Sequence, residues 1–293
     1  MYVLSCCSTA DLDLEYMRES GLSFIGFHYT LDGVTYTDDL EQTMTYAEFY
    51  QRLTSGSDCV SSQINSAEYE EYFRKFLQEG QDILHVTLSS GISGTLNSAR
   101  VAAEELMEEF PGRTVYIVDS LCASSGLGLF MATLSSLKAG GMSLEELYQW
   151  ALDNRQRLRH YFFSSDLSFF IKGGRISKAA GVFGGMLGIC PLMDVAPDGT
   201  LRVLEKIRGK KRVTDAIVRK MEQTADKGRE YDGKCFISNS ACLKDAEAVA
   251  KLVEERFPKL DGKVKIFSIG TTIGTHTGPG TVALFFWGSP RGG

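Results

Sequence analysis

The segment Leu88–Ser98 (LSSGISGTLNS) sets the hydroxyls of Ser89, Ser90, Ser93 and Thr95 around Gly91 and Gly94. It follows a compact apolar run and opens a helical pattern, the place where an open sheet holds its ligand. Glycine lets the backbone come close to a bound group, and the hydroxyls supply neutral donors. The first turn of the next helix adds free N–H groups and a dipole term of roughly 0.3–1 kcal/mol. Together these features suit a small anion, carboxylate or phosphate. An ordinary polar strand-to-helix turn would use the same residues. No Gly-Lys-Ser/Thr follows and the G-x-G-x-x-G spacing is missing, so neither nucleotide fingerprint applies.

Three further segments carry polar groups in unusual settings. Ser61-Ser62-Gln63 precedes a helix capped by Asn65 and reads as a loop with capping residues. Ile273–Gly280 (IGTHTGPG) places His276 between Thr275 and Thr277 and among glycines, a poor core environment. That makes His276 a better site candidate than His28, His85 or His160. Phe169–Ser177 (FFIKGGRIS) reads as a tight bend presenting Arg175, or as a helix end with a solvated arginine. Beyond it, Ala179–Leu192 is apolar and rich in glycine, leaving room beside apolar walls as a long-chain ligand requires. Core packing would explain the same stretch.

The elements that must position these groups alternate in the first half. Tyr2–Leu4 starts a strand. Asn65 and Glu68 form a capping box for a helix whose apolar face is Tyr69, Tyr72, Phe73, Phe76 and Leu77. Ile83–Leu88 is a strand, a helix runs through about Phe110, Thr114–Val118 is a strand, and a helix spans about Ala123–Lys138. This order predicts βαβ units and a parallel sheet. A second capping box, Ser143 with Glu146, opens a helix expected to reach about Arg159. A short strand at YFFSS follows, and Pro197-Asp198-Gly199 turns between strands at Leu192–Val195 and Leu201–Ile207. A basic helix, a strand at Cys235–Ser238, a helix over Lys244–Phe257, a strand at Val264–Ile269, a Gly/Thr loop and a strand at Val282–Trp287 complete the pattern. The expectation is an α/β protein of two domains: a parallel-sheet α/β domain over 1–155 and a mixed α+β domain over 156–293.

Composition narrows the class. The 293 residues are 43% apolar and 23% charged, and no run of 18 apolar residues exists, so no integral membrane segment is expected and at most transient membrane contact. The start MYVLSCCSTADLD has neither a basic nor a long apolar region, so no secretory signal is expected. Seven scattered cysteines without metal spacing read as reduced thiols in a cytoplasm. A net charge of −6 argues against nucleic acid. Residues 202–220 are locally basic, with Arg202, Lys206, Arg208, Lys210, Lys211, Arg212, Arg219 and Lys220. They form either a solvated face or a docking patch for an acidic partner.

Six motifs occur in order over nearly the whole chain: STADL at Ser8–Leu12, SSQ at Ser61–Gln63, SSGISGT at Ser89–Thr95, VDS at Val118–Ser120, FIKGGRIS at Phe170–Ser177 and GTHTGPGT at Gly274–Thr281. The set resembles the DegV family of bacterial fatty-acid-binding proteins. The resemblance implies a ligand between two α/β domains, a long-chain fatty acid of the palmitate, stearate or oleate class, with its tail in the C-terminal domain. It implies no other cofactor and no metal. Carboxylate contacts would fall on Ser62, on Ser93 with backbone groups of Gly94 and Thr95, and on His276 beside Thr275. It further implies a lipid-binding protein that is not itself an enzyme and presents the acid to a separate fatty acid kinase, with Arg175 and Lys172 facing that partner. Cys7 stands where relatives usually carry an aspartate.

Two other activities deserve weighing. A serine hydrolase would need a nucleophile elbow and an acid for His276, and neither is visible in the sequence. A phosphosugar-type transferase would need a nucleotide or metal motif, also missing. A buried carboxylate, by contrast, needs several donors, worth about 1.5–3 kcal/mol each when charge-assisted. An acyl tail adds roughly 0.8 kcal/mol per buried CH₂.

Overall fold

The computed structural model describes residues 1–177 and 188–292. The first sheet has four parallel strands, β1 (Tyr2–Cys7), β2 (Leu22–Ile25), β6 (Asp82–Thr87) and β7 (Val115–Asp119), in the order β2-β1-β6-β7. Its central strands are buried on both faces, so that even the polar members of Ile83–Leu88, His85 and Thr87, are fully buried. Alternation sorts the residues. Cys7 and Ile83 face the helices α3 (Ser66–Gln78) and α4 (Thr95–Glu109), whereas Cys6, Leu84 and Val86 face α5 (Ser125–Ala139) and α6 (Leu144–Asn154). Both expected capping boxes form, at Asn65 with Glu68 and at Ser143 with Glu146.

The second sheet is mixed and six-stranded. Its strands are β8 (Leu158–Ser164), β9 (Ile189–Val195), β10 (Leu201–Arg208), β11 (Phe236–Asn239), β12 (Lys265–Ser268) and β13 (Thr281–Trp287), in the order β10-β9-β8-β13-β11-β12. The Pro197-Asp198-Gly199 turn joins β9 and β10 as an antiparallel pair, and only β11 and β12 run parallel. The helix expected to reach Arg159 stops at Asn154, because Leu158–Ser164 is recruited as a central strand of this sheet. Leu127 and Phe130 of α5 share one core with Phe162 of β8 and Phe236 of β11, so α5 joins the two sheets.

A small antiparallel sheet, β3 (His28–Leu31), β4 (Val34–Thr37) and β5 (Cys59–Ser62), sits beside α2 (Tyr46–Thr54) over its own aromatic core. The first strand therefore feeds a short helix α1 (Leu14–Glu19) and this sheet before the βαβ pattern resumes. The Ser61-Ser62 segment is the end of β5, not a loop. The Gly/Thr segment near the end is likewise a helix, here α10 (Thr271–Thr277); α7 (Ser168–Lys172), α8 (Lys210–Thr224) and α9 (Leu243–Arg256) precede it. Most of the glycine-rich stretch Ala179–Leu192 lies outside the described residues; its end, from Ile189, enters β9.

Candidate functional site

A cavity of about 260 Å³ lies between the two large sheets, and residues of both halves line it. Phe27, Leu88, Ile92, Phe162, Phe170 and Phe285 give it apolar walls. Ser61, Gln63, Ser93, Gly94, Arg175 and His276 gather where it reaches solvent.

The hydroxyl-rich loop contributes less than its composition promises. Ser89 donates to the Gly199 carbonyl at 2.9 Å, seating the β9–β10 turn on the loop. Ser90 donates to Asp119 through Oγ at 2.5 Å and through its N–H at 3.1 Å. Asp119 also takes the Leu121 N–H, so the VDS motif fixes the loop instead of the ligand. Thr95 is fully buried, and its Oγ1 pairs with Tyr69 Oη at 2.9 Å, away from the cavity. The Thr95 hydroxyl is thus a core contact. Ser93 and Gly94 do line the cavity, and Ser93 Oγ accepts the Thr95 N–H at 3.3 Å. That bond leaves the Ser93 O–H free to donate to a ligand.

On β5 the wall residue is Ser61. Successive side chains of a strand point to opposite faces, so Ser61 lines the cavity and Ser62, expected as a carboxylate contact, is exposed outside it. Ser61 Oγ lies 2.7 Å from His276 Nε2. His276 Nδ1 is buried with no partner. An orphaned acceptor is cheaper than an orphaned N–H, which assigns the proton to Nε2 and turns the Ser61 O–H towards the cavity. Burial, with Arg175 nearby, pushes His276 down to about 4, so the ring is neutral at pH 7. On α10 the residues Thr272, Ile273, His276 and Thr277 face the cavity. Thr275 points elsewhere, donating to the Thr271 carbonyl at 2.8 Å and lying 3.1 Å from Cys59 Sγ. Helical spacing excludes it from the face that carries His276.

Arg175 is half buried and lines the cavity wall. Its Nε and Nη2 donate to the Ile92 carbonyl at 3.2 and 3.1 Å, and Nη1 donates to Gly173. Three of its five N–H groups are used, leaving two for an anion. The glycines before it have separate reasons: Gly174 has φ +72°, and a Cβ at Gly173 would collide with His276 Nδ1. Lys172 stays outside, exposed and 2.6 Å from Asp58.

Sequence reasoning missed the acids behind α10. Asp11 Oδ1 accepts the Gly270 N–H at 3.0 Å, and Ser124 Oγ donates to Oδ2. Asp38 Oδ2 accepts from Thr272 through Oγ1 at 2.6 Å and N–H at 3.3 Å, and from Ser8 Oγ at 3.1 Å. Burial raises both carboxyls above the usual range, that of Asp11 well above it. Thr272 and Ser124 line the cavity while bonded to these acids, so Asp11 and Asp38 set the attitude of its wall. The STADL motif contains Asp11, and that was the available signal. Asp38 gave none. His160, ranked below His276 in the sequence, also lines the cavity. Cys7 lies 3.4 Å from Tyr69 Oη and 3.8 Å from His85 Nε2. Burial pushes its thiol up to about 11 and His85 down to about 3, so this pair sits uncharged in the core. Among the described residues no group of three or more His, Cys, Asp or Glu could hold a metal ion.

Fold and site define a two-domain α/β protein with an apolar cavity between parallel and mixed sheets, closed by hydroxyl, imidazole and guanidinium groups. The chain belongs to the DegV family: the model described as "Uncharacterised protein, DegV family" matches residues 7–288. A DegV domain-containing protein of Clostridium perfringens is 34% identical over 290 residues, covering 99% of this chain and 98% of its own. Among solved structures, a DegV family protein from Thermus thermophilus, described for its fatty acid binding, superposes with TM-score 0.86 at 25% identity, covering 98% and 99% of the two chains. A DegV lipid binding protein from Thermotoga maritima superposes with TM-score 0.84 at 26% identity over 99% of this chain and 100% of the other.

Proposed function

We propose that this chain is a cytoplasmic carrier that binds a long-chain fatty acid, of the palmitate, stearate or oleate class, and presents its carboxyl group to a fatty acid kinase. The observation that carries the reading is the cavity itself: apolar walls that end at Ser61, Ser93, His276 and Arg175. The carboxylate would take O–H donors from Ser61 and Ser93 and N–H donors from Arg175. Neutral His276 would orient Ser61 through Nε2. The arginine supplies the positive charge that a partly buried anion requires. The fatty acid and lipid binding described for the Thermus and Thermotoga proteins supports the same ligand class. The seven free cysteines, six of them buried, fit a reducing compartment.

The head group draws on both halves, since His276 and Arg175 come from beyond residue 155. The division into 1–155 and 156–293 is proposed as one of architecture; the second unit houses the tail and also closes over the carboxylate. Docking to the kinase is proposed at the rim near exposed Lys172 and across the basic face of β10 and α8. A hydrolase is disfavoured because His276 Nδ1 has no carboxylate partner. Lipid extraction and native mass spectrometry of the purified chain test the proposal: a bound or readily loaded C16–C18 acid is expected. A chain that copurifies empty and takes up neither palmitate nor oleate would overturn it.

A further inference from the structure

The cavity floor is one face of the six-stranded sheet, with Thr281, Ala283 and Phe285 of β13 beside His160 and Phe162 of β8. A plain alkyl chain would be served by an apolar floor, and three polar groups interrupt it. Thr281 is 2% exposed, lines the cavity, and its Oγ1 has no hydrogen-bond partner. Ser124 is 5% exposed, spends its O–H on Asp11 and lies 2.9 Å from Ser238 Oγ. His160 is 2% exposed; its Nδ1 lies 3.2 Å from the Leu158 carbonyl, and its Nε2 takes the Ala123 N–H at 3.4 Å.

Strand register arranges these groups in a row. Phe285 lies opposite His160, four residues along β13 from Thr281, a span of about 13 Å. Ser238, the neighbour of Ser124, pairs with Ala283 between them. Their hydrogen-bonding capacities are complementary. With its Nδ1–H given to Leu158, His160 offers an acceptor at Nε2, held only by a long bond. Ser124 offers lone pairs, and Thr281 can both donate and accept. Methylene groups lying along this row would leave the Thr281 hydroxyl unpaired, whereas an oxygen substituent would pair with it.

We propose that the preferred ligand is a long-chain fatty acid bearing a hydroxyl part-way along its chain, paired with the Thr281 hydroxyl on the cavity floor. This rests on the fatty-acid reading and adds a second recognition point to it. The test compares the full chain, stripped of copurifying lipid, for binding of stearate and of a set of monohydroxystearates differing in hydroxyl position. At least one hydroxy acid is expected to bind about five- to tenfold more tightly than stearate. Thr281→Val should bring that ratio towards one, and Thr281→Ser should keep it. Hydroxystearates that never exceed stearate, or a ratio that Thr281→Val leaves unaltered, would overturn the proposal while leaving fatty acid binding intact. Failure to bind any of these acids would instead overturn the fatty-acid reading and this inference with it.

Discussion

The loop Ser89–Thr95 and the helix Thr271–Thr277 meet at the same cavity and reverse what their sequences advertise. The loop is dense in hydroxyls, yet Ser89, Ser90 and Thr95 are consumed by Gly199, Asp119 and Tyr69, leaving Ser93 for the cavity. The helix looks like a flexible Gly/Thr loop, yet it puts Thr272, Ile273, His276 and Thr277 on one face towards the cavity. Density of donors does not measure availability of donors. A buried hydroxyl must find a partner, and in a tight strand-to-helix turn the nearest partners belong to the protein.

The largest test of this contrast is Asp119→Ala. It strips three bonds from the loop: the Ser90 N–H, the Ser90 hydroxyl and the Leu121 N–H. Bonds to a charged acceptor contribute about 1.5–3 kcal/mol each, and the freed donors partly rehydrate. A loss of about 3 kcal/mol in urea unfolding is therefore expected, with weakened ligand uptake. If the variant unfolds normally and only binding suffers, the loop holds ligand more than structure and the contrast fails.

A smaller effect separates neighbours on β5. Ser61→Ala removes the hydroxyl that bridges His276 and the cavity, and should weaken fatty acid binding by about 1–3 kcal/mol in a titration. Ser62→Ala, on the exposed face, should stay within about 0.5 kcal/mol of the parent. The converse pattern would return the carboxylate contact to Ser62. Ser93→Ala belongs with Ser61→Ala in size, because Ser93 is the one loop hydroxyl left facing the cavity.

These pairs show what was legible in the residues. Parallel strands, capping boxes at Asn65 and Ser143, and the β9–β10 turn follow from local rules, because hydrophobic period and turn chemistry act over a few residues. The small sheet was not legible. Its strands are only four residues each, and β4 lies at its edge with Val34 exposed, so it offers little apolar signal. The helix α10 was hidden because Gly270, Gly274 and Gly278 read as loop residues. Asp11 and Asp38, remote in sequence, stabilise its start at Gly270 and Thr272. Ser61 and Ser62 differ only in strand parity, which motif matching cannot see without the position of the sheet. Partnering of Ser90 with Asp119 or Arg175 with Ile92 depends on contacts 29 and 83 residues apart, beyond any local rule.

The smallest effect is the pH signature of the helix side. His276 lies at about 4 in the folded chain, against about 6.5 for an exposed histidine, because burial and Arg175 oppose its protonation. Between those values the unfolded chain binds a proton at this position and the folded chain does not. By linkage, the stability contributed through His276 is present above about pH 6.5 and is lost as pH falls towards about 4. Asp11 and Asp38 act in the opposite sense. Their raised carboxyls hold protons in the folded state that the unfolded chain has released, so their contribution falls as pH rises from the ordinary carboxylate range. The total curve mixes the two, but a His276→Gln variant isolates one. The stability difference between parent and variant should be constant above about pH 6.5 and should move against the parent as pH drops to about 4. A difference that stays flat through that window would place His276 in solvent, and with it the Ser61 hydroxyl that this helix turns towards the cavity.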